Sequence, residues 1–134
     1  MKNANPNELD SWENCYFNFV ETLLDFVLSP IEQCVAKGNY NVAWELRAEG
    51  LTVDNLLNQK FIEFSNDQRA VMRNLSLALH ALSPEAMLCG QTQEINLKGM
   101  ANPEWQLVRD IAKELLIALA PRTLENRKFL NMEP

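Results

Sequence analysis

Six residues of this chain fall at i+3/i+4 spacing and read Asp10, Asn14, Asn18, Glu21, Asp25 and Ser29. On a helix such positions share one face. Their neighbours Trp12, Tyr16, Phe17, Phe19, Val20, Leu23, Leu24, Phe26, Val27 and Leu28 make the rest of that helix apolar. The arrangement is a narrow acidic stripe on a helix otherwise built for a core. From Asn3 to Ala36 the acids are Glu8, Asp10, Glu13, Glu21, Asp25 and Glu32, and no lysine or arginine intervenes. Carboxylates held in a row without counter-charge do one kind of chemistry well, the electrostatic recognition of a cationic surface. Asp10, Glu13, Asn14, Asn18, Glu21 and Asp25 are therefore the expected partner-binding residues. The plainer alternative is that the stripe is the solvated edge of a central helix. A third is that Phe17, Leu24 and Leu28, which flank it, are covered by a second copy of the chain.

Other reactive groups are sparse. Glu45 and Glu49 lie one helical turn apart, and Asp54, Glu63 and Asp67 follow. Helical carboxylates at such spacing can hold Mg²⁺ against a phosphate, since a hard ion takes oxygen ligands. All-α nucleotide pyrophosphohydrolases use Glu-x-x-Glu followed by Glu-x-x-Asp for this. Here both spacings are i+4 and Arg47 sits between the first pair, so a hydrolase using Glu45, Glu49, Glu63 and Asp67 ranks behind a binding protein. His80 is the only histidine and has no local nucleophile with an orienting carboxylate, so it reads as a structural or surface residue. Cys15, Cys34 and Cys89 are odd in number and form no CxxC, which argues for reduced, small apolar side chains rather than disulfides or thiolates. Trp12, Trp44 and Trp105 fall on or near apolar faces and read as core. No catalytic, cofactor-binding or metal site is expected.

The whole composition agrees with a binding protein. The net charge is −6 over 134 residues. It is uneven: residues 1–67 carry 11 acids against 4 bases, and residues 68–134 carry 7 against 8. A chain with no basic stripe is ill suited to nucleic acid. A basic protein is its natural complement. The N-terminus has no apolar signal core, and no run approaches the ~18 apolar residues of a membrane span, so a cytoplasmic protein is expected.

The elements that must position the stripe are set by caps and breakers. Helices are expected from about Asn7 to Leu28, from Pro30 to Lys37 with Gly38 as stop, and from Asn41 to Glu49 with Gly50 as stop. Thr52 is read as the cap of a further helix, and Ser65 to Gln68 as a capping box. Pro30 and Pro103 follow Ser29 and Asn102, good N-caps for a proline in the first turn. Pro84 follows Ser83 in the same way and opens a short turn. Pro121 reads as a break between a long helix begun at Asn102 and a last one over about 122–130. Residues 90–102, with Gly90 and Gly99, read as the longest loop, with room for a short strand or a turn of helix, and residues 1–6 as a flexible N-terminal segment. The sum is one all-α domain over 1–134, a helical bundle of four main helices plus several short ones. A small acidic module that blocks or regulates a basic partner is the expected function, an immunity-type inhibitor of a basic toxin enzyme being its sharpest form. A homodimeric structural or adaptor protein is the alternative.

Overall fold

Three of the helix caps read from the sequence are in place. Ser29 accepts from the Glu32 amide and Glu32 accepts from the Ser29 amide, closing a capping box with Pro30 at the first helical position. Ser65 and Gln68 do the same, and Asn102 accepts from the Glu104 amide ahead of the last helix. In this computed structural model, which describes residues 6–132, the chain is all-α. Its helices are α1 (Pro6–Phe26), α2 (Pro30–Ala36), α3 (Val42–Gly50), α4 (Thr52–Asn58), α5 (Asn66–His80), α6 (Gln93–Met100) and α7 (Pro103–Phe129). The segment expected to be flexible, 1–6, lies outside the described residues except for Pro6, which opens α1.

α1 runs antiparallel to α7, and α5 also packs against α7. Each lays an apolar stripe into the same interior. Tyr16, Phe19, Leu23 and Phe26 come from α1, Met72, Leu75 and Leu79 from α5, and Trp105, Val108, Ala112, Leu115 and Leu119 from α7. Full burial of one such large side chain stabilises by about 1.5–3 kcal/mol. Phe26 and Trp105 meet ring to ring with centroids 6.3 Å apart, and the Trp105 indole donates to the Ala86 carbonyl at 2.7 Å, so its one polar atom is satisfied.

Four expectations about boundaries fail, each for a physical reason. Pro121 does not divide the C-terminal region; α7 is continuous for 27 residues. Proline removes the bond to the carbonyl four residues earlier, but Pro121 and Ile117 both face solvent, where water replaces the lost donor. The stretch 90–102 is not a loop, because α6 occupies its centre. The buried Asn96 holds it: its amide donates to the carbonyls of Asn39, Gly90 and Thr92, and its oxygen accepts from the amides of Val42 and Gly90. Gly99 allows α6 to lie against the Leu88 carbonyl, a place a Cβ would fill. Gly50 ends inside α3, not beyond it, since Phe26 and Leu79 press on its backbone and leave no room for a side chain. Thr52 is the first residue of α4 and makes no capping bond.

Candidate functional site

Five of the six stripe residues come together on one wall of a groove of about 710 Å³. Asp10, Asn14, Asn18, Glu21 and Asp25 supply the wall from α1. Cys15, Phe19 and Thr22 make the floor, and Glu49 of α3 and Thr52 of α4 stand opposite. At 1.5 Å per helical residue the wall runs about 22 Å from Asp10 to Asp25. Asn14 donates from its side chain to the Asp10 carbonyl at 2.9 Å, and the Thr22 hydroxyl donates to the Asn18 carbonyl at 3.1 Å. These bonds fasten the middle of the wall to its own helix.

One end of the groove carries its own cation. Lys37 Nζ lies 3.3 Å from Asp25 Oδ2 and 2.5 Å from Glu49 Oε1. Burial alone would lower the Lys37 pKa; the two carboxylates, Glu49 foremost, outweigh it and hold the ammonium above its ordinary value. Asp10 and Glu21 form no ion pair within 4 Å among the described contacts. The acidic character of the groove therefore rests mainly on those two residues, with Asp25 and Glu49 partly compensated.

Glu13 is the exception, and it is a correction to the expected site. It is 5 % exposed and points the other way, into the seam between α1 and α7. There Arg122 Nη2 donates to both Glu13 carboxylate oxygens at 2.5 Å, and Asn126 donates to its Oε1 and its backbone carbonyl at 2.8 Å each. The Tyr16 hydroxyl lies in the same seam, 2.8 Å from Thr123 Oγ1, with Arg122 packed over its ring. Burial pushes the Tyr16 pKa up to about 12. Glu13 is a clamp within the fold and is unavailable to a partner.

On the opposite flank of α1 lies a second, apolar groove of about 370 Å³. Phe17, Val20 and Leu24 from α1 face Leu116, Ala120 and Leu124 from α7, with Glu21 and Arg127 at its edges. Phe17 and Leu24, expected to flank the stripe, are here; Leu28 is not among the lining residues. Glu21 lines both grooves.

Among the described residues no three His, Cys, Asp or Glu side chains converge as metal ligands, so Glu45, Glu49, Glu63 and Asp67 are not brought together. His80 Nε2 and the Ser76 hydroxyl each bond to a different oxygen of Asp54, at 2.8 and 2.5 Å. The carboxylate ties both down, whereas a nucleophile–base pair needs the serine on the imidazole. Partial burial works against the Asp54 charge, but these two bonds prevail and keep its pKa below the usual carboxylate range. Cys15, Cys34 and Cys89 are free, and burial raises the thiol pKa of Cys15 and Cys34. Trp105 is core, whereas Trp44 is 59 % exposed, against expectation. The groove residues the sequence reading missed are Ser11, Cys15, Phe19 and Thr22 on α1 and, from other helices, Glu49 and Thr52; the only signal for Glu49 was its i+4 pairing with Glu45. No helix of the described residues is long and apolar enough to cross a membrane. No protein-family model, curated protein or solved structure matches the chain.

Proposed function

We propose that the chain is a protein-binding module whose acidic groove receives a basic segment of a partner protein and thereby blocks or regulates that partner. The observation that carries this reading is the wall itself. Asp10 and Glu21 lie in a concave surface whose nearest described cation, Lys37, stands at its Asp25 end, and the asparagines between them offer hydrogen-bond donors and acceptors. A concave surface of one charge sign concentrates field, raises the encounter rate with an oppositely charged partner by about 10- to 1,000-fold, and repels wrong partners. An inhibitor of a basic enzyme, of the immunity type, is the most specific form of the proposal. Its mechanism is steric cover of the partner's cationic groove, with Asp10, Glu21 and Asp25 opposite lysines and arginines.

The test compares capture of basic proteins by the wild type and by an Asp10→Lys/Glu21→Lys variant, at about 50 mM and about 500 mM salt, where the screening length shortens to a few Å. A basic protein retained by the wild type at low salt, released at high salt and missed by the folded variant supports the groove. Equal retention by both proteins shows that the groove is ordinary surface. Asp10 and Glu21 are the residues to reverse because Asp25 also anchors Lys37.

A further inference from the structure

The two grooves on either side of α1 are neighbours with different chemistry, and they share Glu21. On α1 the apolar positions Phe17, Val20 and Leu24 each precede a residue of the acidic wall, Asn18, Glu21 and Asp25. Each pair is turned about 100° around the helix, so one ridge, about a helix diameter wide, separates the grooves. Leu24 and Leu124 at the apolar groove are 46 % and 42 % exposed. Ile117, 77 % exposed, is seven residues before Leu124 and so stands on the same side of α7. A groove that gathers exposed apolar side chains inside a polar rim is the kind of surface at which partners dock.

Resting on the reading of the acidic groove given above, we propose that the α1/α7 groove is the apolar half of the same docking surface, and that its occupant is an amphipathic cationic helix of the partner. Its apolar side chains fill the groove between Val20, Leu24, Ala120 and Leu124. Its lysines or arginines bury their methylene stems along the α1 ridge and place their charges on Glu21 first, then on the acidic wall beyond. Charge selects this occupant over a second copy of the chain. A second copy laid across this surface brings another acidic wall against the first within a protein of net charge −6, and the one Arg127 that each copy adds offsets only part of that repulsion. Arg127 sets the direction. In the antiparallel register fixed by the pairing of Glu13 with Asn126 and Tyr16 with Thr123, Arg127 closes the end nearest Phe17, so the cations of the occupant belong at the Glu21 end.

The test uses two synthetic peptides of equal length and charge, one of lysine with leucine on a helical face, the other of lysine with glutamine. Their affinities are measured by fluorescence anisotropy at about 50 mM salt. The wild type is expected to bind the leucine-containing peptide at least tenfold more tightly than the polar one. A Leu24→Ser/Leu124→Ser variant should lose that difference while binding the polar peptide within twofold of the wild type. Leu77→Ser, an exposed site on α5, should keep it, and circular dichroism confirms that each variant is folded. Equal affinity for both peptides in the wild type, or a preference that survives in the double variant, overturns the proposal while leaving the acidic groove standing. A wild-type dimer that the double variant dissolves overturns it in favour of a second copy. Failure of both peptides to bind overturns the acidic groove and this proposal together.

Discussion

Asp10 and Glu13 stand one turn apart on α1, and the two flanks of that helix treat them in opposite ways. Glu13 is sealed against α7 with Arg122 and Asn126 supplying every contact its charge requires. Asp10 faces the groove, and among the described residues no cation pairs with it. The acid in the seam is held by a counter-charge brought to it from a distant element, whereas the acid in the groove forms no ion pair among the described residues. The seam and the groove thus divide one acidic helix into a structural half and an available half.

Arg122→Ala breaks this comparison hardest. It leaves a buried carboxylate without its guanidinium, and truncating one member of such a pair costs about 3–5 kcal/mol; urea unfolding should show the loss. Replacing both members, Glu13→Leu with Arg122→Leu, should restore most of it, because the penalty comes from the stranded charge and not from the absence of the pair.

Tyr16→Phe should cost less, about 0.5–1.5 kcal/mol for the hydroxyl bond to Thr123. It also changes the alkaline limb. The folded-state pKa of Tyr16, about 12, lies above that of an unfolded tyrosine near 10. Its contribution is complete below the unfolded value and is lost as pH rises toward the folded one. Wild-type stability should therefore fall between about pH 10 and 12 more steeply than that of Tyr16→Phe, as urea unfolding across that range would show.

Smallest of all should be the effect of Asp10→Asn with Glu21→Gln. Removing two groove charges should move stability by no more than about 0.5 kcal/mol, as at ordinary surface sites. The same variant should lose binding to a basic partner. A large destabilisation instead would place these residues with Glu13, on the structural side.

The all-α class and most helix starts were legible because Ser29, Ser65 and Asn102 act on amides two or three residues away. Local signals suffice for local bonds. The stripe was legible for the same reason, since i+3/i+4 spacing alone puts Asp10, Asn14, Asn18, Glu21 and Asp25 on one face. What escaped depended on distant chain. Glu13 differs from Asp10 only by a partner 109 residues away. α6 is masked by Gly90 and Gly99, and is held by Asn96 bonding back to Asn39 and Val42. Pro121 looks like a stop until the outward face on which it sits is known. Glu49 joins the groove only because α3 folds back beside α1.

The clamp between Glu13 and Arg122 also has a meaning in time. It joins the first helix to the last across 109 residues. A ribosome adding about 5–20 residues per second needs roughly 5–20 s to make the intervening chain. Throughout that interval α1 is complete, while the long helix that covers Tyr16 and neutralises Glu13 does not yet exist. Until α7 is made, the α1 segment carries all its carboxylates and aromatic side chains without the element that covers them, and it is the arrival of α7 that buries Tyr16 and withdraws Glu13 while Asp10 stays on the groove.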